Sequence, residues 1–221
     1  IVRSVSLILV AYHGDRWIER CLRSLAEGNN GDWRVILVDN GGNSDLPGLV
    51  RRFAPGRVEL LISPGWLPFA EANNFALLHG GLDSEFVCFL NQDTVSRPGW
   101  LDACLACLDE SPTAGAVMPL IENYEGTGWD AAFLTCARAA PPLAARLEAG
   151  PGANLADLPR FLAVPEVTAA AMVVRTEALL RAGPFDPIYG SYYEDYDLCR
   201  RIEAAGYQVG ICTQGRVGHF G

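Results

Sequence analysis

The sequence contains no lysine, since all 17 basic residues among its 221 residues are arginines. Lysine forms the Schiff base with carbonyl substrates or pyridoxal phosphate, and it grips phosphate in a P-loop. Its absence excludes these three chemistries. The net charge of −9 argues against a general nucleic-acid binder, which would present a basic face. A nucleotide ligand is compatible with this charge, because a divalent cation can bridge acidic side chains to phosphates.

The sequence also lacks a long hydrophobic run. No apolar segment reaches the length of a membrane span, and residues 1–11 lack a signal-peptide cleavage pattern, so we expect a cytoplasmic protein. The 7 cysteines are scattered, which favours reduced thiols. Cys104 and Cys107 form a C-x-x-C pair within a helically spaced apolar pattern. This spacing predicts core packing rather than a zinc or redox site.

Strand-like and helix-like segments alternate through the first half of the chain. Apolar runs predict strands at Val5–Ala11, Trp33–Val38, Val58–Ile62 and Phe86–Leu90, with helically spaced segments between them. This order predicts an α/β fold with a mostly parallel central sheet and helices on both faces. The dinucleotide-binding G-x-G-x-x-G pattern and the P-loop pattern are both absent, so those two folds are disfavoured.

The run Phe86–Leu90 is predicted to be a central strand buried on both faces, and it ends abruptly in Asn91, Gln92 and Asp93. Ligands of open α/β sheets bind at the carboxyl ends of strands, so these side chains form a candidate site. An Asp in this position more often caps the following turn. The other polar features of the chain decide between these two interpretations.

Three such features follow or begin predicted elements. Asp39 ends the second strand, the cluster Glu194–Asp197 begins a helix, and His219 follows the last strand. Each has a structural interpretation as an Asx turn, dipole compensation or a surface imidazole. Their combination supplies oxygen ligands, a base and an imidazole from separate elements, which favours a functional site. The Asn73–Asn74 pair is either a polar helix face or a pair of amides near a ligand.

The middle of the chain, from Glu122 to Glu166, loses periodicity and is rich in alanine and proline. Short helices are predicted at 143–149 and 155–161. We expect the segment to be a mobile functional loop that helps to cover an acceptor site.

At these motifs the chain resembles the inverting glycosyltransferases of family 2, which have the GT-A fold, in a bacterial rhamnosyltransferase-like branch. The resemblance extends from Ser6 to His219. The segments that carry it are Tyr12, Val38–Asn40, Phe69–Asn74, Leu90–Thr94, Thr168–Arg175, Gly183–Asp186 and Glu194–Cys199. The last of these, E-D-x-D-L-C, is the most specific.

The resemblance implies transfer of a sugar from a nucleoside-diphosphate sugar to an acceptor hydroxyl with inversion. Asp93 and His219 are then expected to hold Mg²⁺ or Mn²⁺ against the diphosphate. Asp195 is expected to deprotonate the acceptor, with Glu194 as the alternative base, while Asp197 caps or compensates the helix. The residues implied to bind the substrates are Tyr12, Asp39, Asn40, Asn73, Asn74, Asn91 and Tyr193.

The resemblance further implies a dTDP- or UDP-linked donor, with rhamnose as the favoured sugar, and a glycan or lipid-linked acceptor in polysaccharide or glycoconjugate biosynthesis. It leaves open a homodimer and association with the inner face of the membrane, and it implies no nucleic-acid partner. We expect residues 1–221 to form one GT-A domain. Residues 1–120 would be its nucleotide-binding half and residues 121–221 its acceptor-binding and catalytic half.

Three departures from the family pattern keep alternatives open. Asn91 replaces the first acid of D-x-D, Val167–Ala171 replaces a Trp-rich segment, and the chain stops just past His219, where many relatives continue. We therefore expect a weaker metal site and a missing acceptor or oligomerisation region. The alternatives are a non-catalytic nucleotide-sugar-binding module and a nucleotidyltransferase of related fold. In a nucleotidyltransferase, Arg16 would have to be the basic residue that binds phosphate.

Overall fold

The computed structural model describes residues 4–29, 31–53 and 56–221. The strands are β1 Ser4–Ala11, β2 Asp32–Asp39, β3 Val58–Ile62, β4 Phe86–Leu90, β5 Thr94–Ser96, β6 Ala114–Asn123, β7 Phe161–Ala163, β8 Ala171–Arg175 and β9 Gln208–His219. The α-helices are α1 Ile18–Gly28, α2 Leu46–Phe53, α3 Phe69–Gly80, α4 Trp100–Glu110, α5 Ala131–Ala137, α6 Pro141–Leu147, α7 Thr176–Ala182 and α8 Glu194–Ala204. A 3₁₀ turn at Pro187–Tyr189 precedes α8.

The strands form one mixed sheet in the order β3-β2-β1-β4-β8-β6-β9-β5, with β7 paired to β9. The predicted parallel arrangement is found in β3, β2, β1 and β4. These strands are joined by crossovers that contain α1, α2 and α3, as parallel neighbours require. In the second half β8 runs antiparallel to both β4 and β6, while β6 and β9 are parallel to each other.

The core lies on both faces of the central strands. All five residues of β4 are buried, which explains its continuous apolar run. Burial of a phenylalanine such as Phe86 or Phe89 contributes about 1.5–3 kcal/mol to stability. Cys104 and Cys107 are buried free thiols on α4, in agreement with the predicted packing role.

The segment from Glu122 to Glu166 contains more regular structure than its composition predicts. It holds the end of β6, then α5, α6 and β7. Pro141 occupies the first turn of α6, where its missing N–H costs no hydrogen bond. The predicted helix at 155–161 is wrong, because Pro159 lacks the N–H of a helix interior and Phe161 begins β7.

Another correction concerns the last strand, because β9 continues through Val217 to His219 and His219 does not follow it as expected. His219 is therefore a strand residue that pairs with Thr94 of β5 and Asn123 of β6. A shift in the β6–β9 register near Pro119 accommodates the extension. Among the described residues, no helix is both long enough and apolar enough to cross a bilayer.

Candidate active site

The carboxyl ends of β1, β2 and β4 place several of the predicted residues at one edge of the sheet. Ala11 and Asp39 are partners in the β1–β2 register, and Tyr12 and Asn40 follow them. The Asn91 N–H donates to the carbonyl of Ala170, just before β8. This bond joins the two halves of the chain beside the candidate site.

Two cavities open at this edge. The smaller cavity has a volume of about 360 Å³ and is lined by Val10, Tyr12, Asn40, Trp66, Leu67, Phe69, Asn91, Gln92, Asp93 and Ser191. The larger cavity has a volume of about 910 Å³, and its polar lining includes Asp130, Thr168, Tyr193, Glu194, Asp195 and His219. Asn91 and Asp93 belong to both linings. A ligand that spans both cavities would therefore pass over these two side chains.

Tyr12 and Trp66 form an aromatic pair at the smaller cavity. Their ring centroids are 6.3 Å apart, and the residues are 43% and 61% exposed. The Gln92 side chain makes two hydrogen bonds with the backbone of Tyr12. Its Oε1 accepts from the Tyr12 N–H at 3.1 Å, and its Nε2 donates to the Tyr12 carbonyl at 2.8 Å. Two exposed rings with a fixed backbone offer flat surfaces to a planar ligand.

Asn40 has a scaffolding role in the same cavity. Its Oδ1 accepts from the Leu67 N–H at 2.9 Å, and its Nδ2 donates to the Leu67 carbonyl at 2.8 Å. These bonds position the segment that carries Trp66. Asp39 lies outside both linings, and its Oδ1 accepts from Asn43 Nδ2 at 2.7 Å and from the Gly41 N–H at 3.1 Å.

Asn73 and Asn74 also lie outside both linings. Asn73 is buried and donates to the Phe69 carbonyl one turn earlier at 2.9 Å. The Asn74 amide makes two bonds with the backbone of Phe185, at 2.7 and 3.0 Å. The structure therefore gives this pair a positioning role between α3 and the segment before α8, rather than the expected direct contact with substrate.

Asp93 and His219 converge where the cavities meet. His219 Nε2 lies 3.5 Å from Asp93 Oδ1 and 3.2 Å from Asn91 Nδ2. On the other side of the ring, Nδ1 lies 3.1 Å from Asp130 Oδ2. Burial alone lowers the pKa of His219, but the hydrogen bonds to Asp130 and Asp93 outweigh it and raise that pKa to about 9.

The described residues contain no group of three or more His, Cys, Asp or Glu side chains arranged to hold a metal ion. Asp93 and His219 could provide two protein ligands. This number suits Mg²⁺ or Mn²⁺ when phosphates of a substrate complete the coordination shell. A metal ion at this position fits the residues when water or phosphate oxygens fill its other coordination positions.

The acidic cluster begins α8 on the wall of the larger cavity. Asp195 Oδ2 accepts from the Ala169 N–H at 3.1 Å, and Oδ1 accepts from the Tyr196 N–H at 2.9 Å. Burial raises the pKa of Asp195, although these bonds oppose the rise. Ala169 lies in the stretch 168–170, which precedes β8 and lines the cavity.

Glu194 and Asp197 differ sharply in their surroundings. Glu194 is buried, and its Oε2 finds no hydrogen-bond partner among the described residues. Burial raises the pKa of Glu194 to about 7. Asp197 instead forms an ion pair with Arg201 at 2.7 Å, one turn along α8. Tyr193 occupies the N-cap position, so Asp197 does not cap α8, but it lies in the first turn, where its charge compensates the helix dipole.

The loop before α8 carries two exposed tyrosines in a strained backbone conformation. Tyr192 and Tyr193 have φ of 77° and 71° and are 82% and 67% exposed. The loop is tied to the start of α3, where the Phe69 N–H donates to Ser191 Oγ and the Ala70 N–H donates to the Gly190 carbonyl. Non-glycine residues in this conformation cluster at ligand sites.

Arg16 takes no part in either lining. Its guanidinium carbon lies 4.4 Å from the ring centroid of Trp17 and 5.5 Å from that of Phe220. This placement gives no support to a phosphate-gripping role in a nucleotidyltransferase.

The parallel strands β3, β2, β1 and β4, the acidic edge after β4 and the acidic helix α8 together define a GT-A type of α/β protein. The sequence profile of Glycosyl transferase family 2 matches residues 6–151. The chain belongs to this family, and the predicted glycosyltransferase class and GT-A fold are confirmed. Glu194, Asp195 and His219 lie outside the matched residues.

Similar proteins agree with this assignment. The N-acetylglucosaminyl-diphospho-decaprenol L-rhamnosyltransferase of Mycobacterium tuberculosis is 27% identical over 227 aligned positions, covering 91% of this chain and 71% of that protein. The mannosyltransferase PcManGT from Pyrobaculum calidifontis, solved with GDP-Man and Mn²⁺, has a TM-score of 0.72 at 21% identity, covering 97% of this chain. GalNAc-T7, solved with UDP, GalNAc and Mn²⁺, has a TM-score of 0.74 at 16% identity, covering 99% of this chain. The chain spans 56% and 44% of these two solved structures.

Proposed function

We propose that this protein transfers a sugar from a nucleoside-diphosphate sugar to an acceptor hydroxyl, with inversion at the anomeric carbon. The observation that carries the proposal is the meeting of two cavities at Asn91 and Asp93, with Asp195 on the wall of the larger one. The smaller cavity suits the nucleoside, the junction suits the diphosphate, and the larger cavity has room for the sugar and its acceptor.

The nucleoside would lie against Tyr12 and Trp66, whose exposed rings provide stacking surfaces. Asn40 holds the Trp66 segment in place, and Gln92 holds Tyr12. Asp39 would act on the nucleoside through the turn that it stabilises by accepting from Asn43, rather than from the cavity wall.

Asp93 and His219 would hold Mg²⁺ or Mn²⁺ at the diphosphate, with Asn91 beside them. A divalent ion there neutralises the negative charge that develops on the leaving nucleoside diphosphate. The two ligands leave room for phosphate oxygens. The chain has no lysine that could supply positive charge in place of the ion.

Asp195 would act as general base. Its carboxylate is fixed by the Ala169 and Tyr196 N–H groups, so one oxygen can accept the proton of an acceptor hydroxyl. The acceptor oxygen forms its bond to the anomeric carbon as the bond to the diphosphate breaks on the opposite face. The proton ends on Asp195, and nucleoside diphosphate leaves. Tyr193 at the start of α8 would contact the acceptor.

The rhamnosyltransferase relative supports a finer proposal for the substrates. Its name specifies a rhamnosyl donor group and an acceptor with a diphospho-decaprenol lipid. We therefore propose dTDP-rhamnose as the donor and a lipid-linked saccharide as the acceptor. The protein would bind this acceptor at the inner face of a membrane. The exposed Tyr192 and Tyr193 suit such an interface, because tyrosine prefers the boundary between lipid and water.

A donor screen tests the reaction. The protein is incubated with UDP-, dTDP- and GDP-sugars and Mn²⁺, and release of nucleoside diphosphate is measured with and without saccharide acceptors. One donor is expected to be hydrolysed slowly and to turn over faster with an acceptor. Binding of donors without any turnover would instead support a non-catalytic nucleotide-sugar-binding module, which Asn91 in place of an acid favours.

Calorimetry tests the metal requirement of this proposal. Nucleoside diphosphate is titrated into protein with Mn²⁺ and into protein with EDTA. Because Asp93 alone would repel the diphosphate, affinity is expected to depend on the ion. Equal affinity in the two titrations would remove the metal from the proposed function.

A further inference from the structure

We propose that Asp130 is a positioning residue that holds His219 in the one tautomer able to bind a metal ion. The inference rests on the proposed role of Asp93 and His219 as metal ligands. Asp130 lies in the stretch between β6 and α5, far from both residues in sequence, and the family pattern gave no role to it.

The two oxygens of Asp130 have different partners. Oδ1 accepts from the Phe133 N–H at 2.8 Å, which makes Asp130 the N-cap of α5. Oδ2 faces His219 Nδ1 at 3.1 Å. The helix end therefore fixes the orientation of the carboxylate, and the carboxylate fixes the orientation of the imidazole ring.

This arrangement decides which ring nitrogen is free. A carboxylate oxygen can only accept, so Nδ1 carries the proton and donates to Asp130. Nε2, which faces Asp93 Oδ1 at 3.5 Å, is then the nitrogen whose lone pair a metal ion would take once the ring is neutral. Asn91 Nδ2 lies 3.2 Å from the same nitrogen.

The backbone around Asp130 is built to keep this contact. The Asp130 N–H donates to the Ile121 carbonyl of β6 at 3.0 Å. Two residues further along β6, Asn123 is the register partner of His219 in β9. Asp130 is 9% exposed and His219 is 8% exposed, so the pair is shielded from water. A buried carboxylate needs such a partner, and a capping role alone would not require burial beside an imidazole.

Two substitutions separate the positioning role from the capping role. Asp130→Asn keeps an oxygen for the Phe133 N–H, so its NH₂ group must face His219 Nδ1. That donor forces Nδ1 to accept and places the ring proton on Nε2, against the metal. Asp130→Ser keeps a good N-cap oxygen but is too short to reach the ring. Asp45→Asn is the matched control, because Asp45 caps α2 through the Gly48 N–H and lines neither cavity.

The readout is Mn²⁺ affinity of the protein without nucleotide, measured by electron paramagnetic resonance of free Mn²⁺, together with melting temperature. Asp130→Asn is expected to lose about 10- to 100-fold in affinity and Asp130→Ser somewhat less. Asp45→Asn should bind Mn²⁺ like the wild type. Wild-type affinity in a folded Asp130→Asn would overturn the inference.

Two further measurements separate failure of the inference from failure of the proposed metal site. If His219→Ala binds Mn²⁺ as tightly as the wild type, the metal site itself is wrong and the inference falls with it. If the Asp130 variants do not fold, proton NMR of the Co²⁺-loaded wild type decides. One solvent-exchangeable, strongly shifted imidazole N–H signal is expected, and its absence from a protein shown by visible absorption to hold Co²⁺ would overturn the inference.

Discussion

Replacement of Asp195 by asparagine should separate chemistry from folding at this site. The asparagine keeps the shape of the side chain but cannot accept a proton from an acceptor hydroxyl. General-base assistance accounts for roughly 10²- to 10⁴-fold in rate. At about 1.36 kcal/mol for each factor of ten, the expected loss of transition-state stabilisation is about 2.7–5.4 kcal/mol.

The structural cost of this substitution should be smaller. Asp195 accepts two backbone hydrogen bonds, from Ala169 and Tyr196, and an asparagine oxygen can keep only one of them. Loss of the other costs about 0.5–1.5 kcal/mol of stability. Removal of a partly buried charge offsets some of that cost, because burial raises the pKa of Asp195 and so disfavours its ionised form.

The assay compares turnover, donor affinity by calorimetry and melting temperature in three variants. Asp195→Asn should lose at least 100-fold in turnover with near-normal donor affinity. Asp197→Asn is the control, because it breaks the ion pair with Arg201 at 2.7 Å but lines neither cavity. It should melt at a lower temperature with little loss of turnover per folded molecule. Full activity in Asp195→Asn, or a loss of donor affinity as large as in Asp93→Asn, would refute the role, and Glu194 would be the next candidate.

Three other predictions follow from the same geometry. Trp66→Leu should weaken nucleoside diphosphate binding by about 5- to 150-fold without changing the melting temperature, because Trp66 is 61% exposed and base stacking contributes about 1–3 kcal/mol. Trp66→Phe should restore part of the affinity, and equal binding by all three proteins in calorimetry would exclude stacking. Burial raises the pKa of Glu194 from 4.5 to about 7. Between these two pH values the folded protein binds more protons than the unfolded chain. The contribution of Glu194 to the free energy of unfolding therefore falls as pH rises from 4.5 to about 7. Glu194→Gln should therefore flatten the decline in unfolding free energy between about pH 5 and 8, measured by urea denaturation; an unchanged slope would contradict the burial argument. Hydrogen exchange should be fast in residues 148–160, which are held by local turns, and slower in α5. Binding of donor or acceptor should slow the exchange of residues 148–160. Uniformly slow exchange in the free protein would show that this segment is not a mobile loop that covers the site.

The family motifs were readable because they depend on short stretches of chain. A continuous apolar run such as Phe86–Leu90 specifies a strand buried on both faces, and its end fixes where Asp93 must lie. The Glu194–Cys199 motif likewise identified the start of α8. Each of these features is local, so composition and spacing were enough to find it.

Other expectations failed or changed where contacts between distant segments decide the outcome. Asn73 and Asn74 were expected at the substrate, yet their amides bond to the backbone at Phe69 and Phe185. The cavity lining includes Trp66, an exposed aromatic residue that nothing in its local pattern distinguishes from an ordinary surface residue. The alanine-rich middle was expected to hold short helices only at 143–149 and 155–161, but packing of Phe133 into the core stabilises α5 as well.

The sequence by itself therefore determined the α/β class and the residues at the end of β4 and the start of α8, because hydrophobic period and turn chemistry act over a few residues. The family followed from the resemblance of its motifs. Only the tertiary structure decided which side chains meet. The β6–β9 register brings His219 beside Asn123, the cap of α5 brings Asp130 to the same imidazole, and the crossover after β3 brings Trp66 to Tyr12. These contacts join residues that are distant in the chain, and no local pattern encodes a distance between them.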